Sequence, residues 1–409
     1  MNKYLLLLSL SFSLTTSLQS QQPGRLFRIR TITAGVTLKN LNDTNTLNTA
    51  VQFLNNAKQV FIAKGYEVQT LRISTQHFYK MADKQSYDRA LTALSAFDRI
   101  AQRNNIVLSI GQILPPDEYQ QEISGWVEKL AQTTSTISFN LSVSSPEKGI
   151  HYKSVRAAAE IITALSRFNN GEANFRFAAT ANCPAGIPFF PAAFHDGKNS
   201  FAVGLESPNL ITEAFKKSNT ENAKQNLKSL FETNLIPVQN IAEDISKKLK
   251  WQYDGIDVSP APGLDASIGQ AIETYTKQPF GSAATLSACS LITDVLKNLN
   301  IKKCGYSGLM LPVIEDLVLA KRAEEGRYSL QTLLLYSAVS GTGLDVVPIP
   351  GDTPKQVLEN ILIDVAALSL KYSFKALSAR LFLIPGKKAG DIVSFDNPYL
   401  TRSVVLKVE

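Results

Sequence analysis

Cysteine and histidine are scarce in this 409-residue chain, with three of each. Cys183, Cys289 and Cys304 are unevenly placed and form no CxxC pair, which excludes a disulfide framework. His77, His151 and His195 are too few for a histidine-rich zinc site, so any metal would be held through oxygen. The chain also lacks a GxxxxGK[ST] loop and a GxGxxG turn, and so carries no nucleotide or NAD fingerprint. There is no GxSxG elbow; Ser307 in GYSGLM only approximates one. No stretch reaches the roughly 20 apolar residues that a membrane-spanning helix needs. Lysine and arginine give a net charge of +7 but are interleaved with acids, without the dense basic runs that nucleic-acid binding calls for.

What is present is the composition of a globular protein, 44% hydrophobic and 19% charged. Residues 1–24 combine one lysine, an apolar run from Tyr4 to Leu14 and a small polar tail, which reads as a signal peptide or as a disordered extension. The first reading implies a secreted or exported protein and the second a cytoplasmic one. Residues 25–409 read as a single α/β domain.

Strand-like and helix-like patterns alternate throughout. FRIRTITAGVTL has strand composition, LNTAVQFLNNAKQVFIAKGY has helical spacing and a stop at Gly65, and EVQTLRIS is again a strand. The alternation continues through IVLSIGQILP, TISFNLSV, FRFAATANC, SFAVGLES and WQYDGIDVSPAP. It implies crossover connections and a largely parallel sheet. The helical stretch Leu210–Leu249 reads as an outer helix pair or as the arm of a homo-oligomer.

In such folds ligands gather at the carboxyl ends of strands. Glycine- and proline-rich loops are expected there: the stretch after Cys183, then DGIDVSPAPGLDAS, CGYSGLMLPVIED, SGTGLDVVPIPGD and ARLFLIPGKKAGD. Glu206, Asp257 and Asp345 are the candidate acid/base or cation-holding groups, and converging they would suit a divalent cation. A solitary aspartate in such a loop equally serves as a turn or helix cap. Arg30, Arg176, Arg380 and Lys387 are candidate clamps for an anionic substrate. Ser307, Gly341, Gly343 and Asp352 could add hydroxyl, backbone or turn contacts to it. Cys183 with His195 as its base would make a thiol nucleophile, although a single loop cysteine more commonly packs.

The ordered series RTITAG, CPAGIPFFPAAFH, FAVGLES, GIDVSPAP with LDAS, GYSGLMLPVIED, SGTGLDVVPIPGD and LSARLFLIPGKKAGD closely resembles uncharacterised protein family 0210, also called domain of unknown function 711. The resemblance runs from Arg28 almost to the C-terminus and implies a ten-stranded α/β barrel similar to pyruvate formate-lyase. It further implies a radical reading in which Cys183 and Gly341 follow the order of thiyl cysteine and radical glycine. Against this, a paired cysteine is lacking and the glycine stands in SGTGLD. The leading expectation is an enzyme acting on a small polar or anionic metabolite, with a non-catalytic binding protein and thiol or radical chemistry at Cys183 as alternatives.

Overall fold

The computed structural model describes residues 26–82, 87–372 and 375–409, so the N-terminal apolar segment lies outside the described residues. The first half builds β1 (Arg28–Val36), α1 (Thr44–Ala63), β2 (Val68–Thr75), α2 (Tyr87–Arg103), β3 (Ile106–Gln112), α3 (Ile123–Thr133), β4 (Ile137–Ser145), β5 (Gly149–Ile150), α4 (Tyr152–Leu165) and β6 (Phe177–Ala181). The second half continues with β7 (Ser200–Glu206), α5 (Pro208–Lys216), α6 (Ala223–Leu249), β8 (Gln252–Ala261), α7 (Ile268–Thr276), α8 (Thr285–Lys297), α9 (Leu317–Glu324), α10 (Leu330–Ser337), β9 (Gly343–Pro350), α11 (Lys355–Lys371) and β10 (Leu377–Ile384). A short pair, β11 (Ile392–Val393) and β12 (Ser403–Val404), closes the chain.

Helix α1 shows how local sequence sets an element. Asp43 caps it by accepting the Thr46 N–H at 3.1 Å, and Leu47, Ala50, Val51, Leu54, Ala57 and Phe61 face the core at helical spacing. The left-handed Gly65, with φ of 78°, then turns the chain away.

The ten-stranded sheet has the order β8-β7-β1-β2-β3-β4-β6-β10-β9, with β5 attached to β4. Strands β1, β2, β3, β4 and β6 run parallel. At both ends of this row the direction reverses: β7 lies antiparallel to β1 and carries β8 in parallel, while β10 lies antiparallel to β6 and carries β9 in parallel. One irregular segment touches both outer strands, since Ile256 in β8 bridges Lys303 and Asp345 in β9 bridges Pro312.

Side chains alternate across this sheet. Ile32, Ile73, Leu108, Phe139 and Val203 belong to the apolar core. Their strand neighbours Thr31, Thr33, Ser74, Ser109 and Asn140 are polar yet equally buried, as is Asp257 between Ile256 and Val258 on β8. Period-two alternation sends these two sets to opposite faces, so the face turned away from the apolar core is polar and shielded from solvent.

The largely parallel sheet agrees with the sequence pattern, and two expectations need correction. The stretches read as the loops SGTGLDVVPIPGD and ARLFLIPGKKAGD contain β9 and β10, placing Asp345 and Arg380 inside strands. Pro348 and Pro350 disguise β9, and an outermost strand is where prolines are tolerated. The two direction reversals also send the carboxyl ends of β7–β10 opposite to those of β1–β4 and β6, so the loops do not share one mouth. Helix α6 packs on β8, α1, α5 and α8 of its own chain, as an outer helix does.

The connection after α10 passes backbone against backbone beside the segment bridging the outer strands: Gly341 donates to Leu309 at 2.8 Å, and a Cβ on Gly341 would lie 2.2 Å from Gly308 Cα. We predict that Gly341→Ala lowers unfolding free energy by about 1–3 kcal/mol or more through overpacking. Gly125→Ala, where nothing lies within 4 Å, should instead raise stability by up to about 1 kcal/mol. Urea denaturation of both variants checks the pair.

Candidate functional site

Two segments fill the space on the polar face. The loop joining β6 to β7 enters it: Thr33 Oγ1 donates to Pro188 O at 2.9 Å, Ser109 Oγ to Ala193 O at 2.7 Å and Asn140 Nδ2 to Pro191 O at 2.8 Å. Ile187, Phe189 and Ala192 of this loop form a second apolar cluster with Ala261, Tyr306 and Met310. Its proline and glycine content thus shapes a plug with apolar bulk at its tip.

The segment after Cys304 is held by Asp257. This buried carboxylate accepts from the backbone N–H groups of Ser259, Tyr306 and Ser307 at 3.0, 2.9 and 2.9 Å and from Ser259 Oγ at 2.7 Å. Burial pushes Asp257 above the usual carboxylate range, opposed by these bonds. Ser307, with φ of 44°, donates its hydroxyl to Cys304 O at 2.7 Å. Gly343, with φ of 91°, abuts Ser378 O, where a Cβ would come within 2.3 Å. All three groups, Asp257, Ser307 and Gly343, shape the backbone.

Cys183 donates to Leu377 O at 3.3 Å and lies 3.6 Å from Tyr306 Oη, and burial pushes its thiol up to about 12. His195 packs on Gly35, donates its backbone N–H to Thr75 O at 2.9 Å and has Nε2 3.2 Å from Gly197 O. The two side chains share no hydrogen bond, and a thiol raised by burial is a poor source of thiolate.

At the other end of the polar face lies a charged compartment. Glu206 accepts from Arg28 Nη1 at 2.5 Å, Gln69 Nε2 at 2.7 Å and Arg30 Nη1 at 3.4 Å. Arg28 also grips Asp265 at 2.5 and 2.6 Å and Glu67 at 3.0 Å. Glu315 stands between two arginines, 3.8 Å from Arg30 and 3.5 Å from Arg380. Arg380 Nη1 donates to Asp345 at 2.9 Å. Burial raises the Asp345 carboxyl above its usual range, with Arg380 pulling the other way. Val346 beside it has φ of 42°, a strained conformation for a β-branched residue, where the β9–β10 register shifts. Arg30, Glu206, Glu315, Pro398 and Tyr399 help line an opening of about 400 Å³.

Arg72, on β2, differs from its neighbours. Among the described residues its one hydrogen bond is a long one, Nη1 to Pro188 O at 3.5 Å, and its buried Nε has no partner. Burial first, then the positive charges of Arg30 and Arg380 against the negative charge of Glu315, depresses it to about 9. A guanidinium does not give up its proton at neutral pH, so that depression reads as a charge in need of an anion.

The predicted residues therefore divide. Arg30, Glu206, Asp345 and Arg380 share the compartment; Ser307 lies in the segment after Cys304, Asp257, Cys183 and Gly341 lie against it, Gly343 lies against Ser378, and His195 lies apart. Arg176 spends its guanidinium on Ile137 O, Thr134 O and Thr134 Oγ1, at 2.7, 2.7 and 2.5 Å, away from Arg30. Asp352 and Lys387 are exposed in turns beyond β9 and β10. Among the described residues no group of three or more His, Cys, Asp or Glu gathers as a metal site. The reading from sequence missed Arg72, Glu315 and Tyr399. An arginine between Leu71 and Ile73 in a buried strand was the available signal for the first.

Asp257→Asn is expected to cost about 2–3 kcal/mol, because the new amide turns N–H toward N–H. Equilibrium denaturation would reveal it, and unchanged stability would contradict the clamp.

The chain matches the family described as Uncharacterised ACR (DUF711) over residues 23–397. It is similar to the UPF0210 protein of Pyrobaculum aerophilum, 32% identical over 290 residues that cover 68% of this chain and 63% of that protein, under two thirds of its length. Against the UPF0210 protein of Pyrobaculum arsenaticum the identity is 28% over 367 residues, covering 85% and 81%. For that of Actinobacillus pleuropneumoniae it is 26% over 401 residues, covering 90% and 88%.

Proposed function

Since the chain belongs to the DUF711 family, also called UPF0210, whose names state no reaction, we propose from its own geometry that it binds and transforms a small anionic metabolite in the charged compartment. The observation carrying this is Arg72: a buried guanidinium with an unpartnered Nε, facing two further arginines. Burying an uncompensated charge is costly, and a bound anion removes that cost. The two guanidinium Nε groups without a partner, on Arg72 and Arg380, favour an anion over a cation as guest.

Asp345 is the proton-transfer candidate of this reading, because burial favours its neutral form while Arg380 holds it in place. Glu206 serves differently. With three side-chain donors on its two oxygens it fixes Arg28, Arg30 and Gln69. A closed ten-membered barrel similar to pyruvate formate-lyase is the architecture we propose around the compartment. It is supported by the reversed strand pairs at both ends of the sheet and by the Lys303–Pro312 segment bridging both outer strands in parallel.

Sulfate, used as a probe, is expected to raise the melting temperature of the protein. Arg72→Met should abolish that response while leaving the ligand-free melting temperature unchanged or higher; a destabilised variant with an intact sulfate response would contradict the proposal. The response should also depend on pH. As pH falls through the raised value of Asp345, its charge disappears and Arg380 loses that counter-charge, so sulfate affinity should rise as the carboxyl takes up its proton. Asp345→Asn should flatten that profile, measured by calorimetric titration.

A further inference from the structure

Three arginines of the compartment share an arrangement. The Arg30 guanidinium carbon lies 4.9 Å from the ring centre of Tyr399, that of Arg72 lies 5.3 Å from Phe190, and that of Arg380 lies 4.7 Å from Phe175. The rings come from three separate segments: the C-terminal stretch, the inserted loop and the turn before β6. A ring against one face of a guanidinium leaves its N–H groups, which lie in the plane, for polar partners.

The in-plane groups are unequally used. Both terminal nitrogens of Arg30 meet carboxylates, Glu206 and Glu315. Arg380 uses Nη1 for Asp345 and Glu315 and Nη2 for Phe175 O at 3.4 Å, but its buried Nε has no partner. Arg72 leaves Nε unpartnered too. Two buried, ring-backed guanidinium edges, one on β2 and one on β10, therefore each carry an Nε without a hydrogen-bond partner. Strands β3, β4 and β6 separate them in the sheet order, so they flank the compartment from different strands and are not two halves of one fork.

Resting on the anion-binding reading above, we propose that the ligand carries two separated anionic groups, a small dicarboxylate, with one group on the Nε edge of Arg72 and the other on that of Arg380. A carboxylate meets a guanidinium edge in its plane through two parallel hydrogen bonds, which suits both vacancies. Glu315, at 3.5 and 3.8 Å from its arginines, is loosely enough held to yield its place beside Arg380 as the ligand enters.

Calorimetric titration of the full chain with acetate, sulfate, and the dicarboxylate series from malonate to adipate tests this. One member of the series is expected to bind at least about tenfold more tightly than acetate or sulfate, with Arg72→Met and Arg380→Met each cutting its affinity to the level of acetate. Because Arg380→Met strands Asp345, the double variant Arg380→Met/Asp345→Asn is measured beside it and should give the same loss. Acetate and every dicarboxylate binding alike, all dependent on Arg72, would overturn the two-anion proposal and leave the anion compartment standing. Binding of none of these probes, or binding indifferent to Arg72→Met, would overturn both.

Discussion

A sheet with one apolar face can bury that face under helices, but a sheet whose other face is polar and equally buried must find partners for every group on it. That requirement organises this molecule. Thr33, Ser109 and Asn140 are satisfied by carbonyls of the inserted loop, and Asp257 by backbone N–H groups of the segment that bridges the outer strands. Both segments owe their glycines and prolines to the path needed to bring backbone polar groups to fixed side chains.

Where neither segment reaches, charge takes over. Glu206, Glu315 and Asp345 are placed against Arg28, Arg30 and Arg380, and the account closes except at two guanidinium edges. Removing one partner of a buried charge is far costlier than omitting both, and on the reading proposed above the partnerless Nε of each arginine is where an anion from outside completes the pairing. The strained Val346 beside Asp345 is the backbone counterpart, a local cost sustained at the same point.

Much of this was legible in the sequence. The alternation of strand and helix patterns predicted the parallel row, and Arg30, Glu206, Asp345 and Arg380 were recognised as candidates from their motifs. What escaped had physical causes. Prolines on an outermost strand hid β9, and nothing in a strand's composition announces that its neighbour runs antiparallel, so loops that meet at one mouth in an all-parallel sheet separate here. Asp257 stands in the sequence as either an acid/base candidate or a turn-former, because a reactive loop aspartate and a structural clamp look alike until the donors are seen. Arg72 was passed over because EVQTLRIS is an ordinary alternating strand; only its missing partner distinguishes it.

The most direct test of the anion compartment is diffraction from crystals soaked in selenate, a sulfate analogue whose selenium is located by anomalous scattering. The account predicts a selenium peak that puts a selenate oxygen within hydrogen-bonding distance of Arg72 Nε or Arg380 Nε, lost in Arg72→Met/Arg380→Met. Selenium found only on surface lysines, with both guanidinium edges bare, would contradict it.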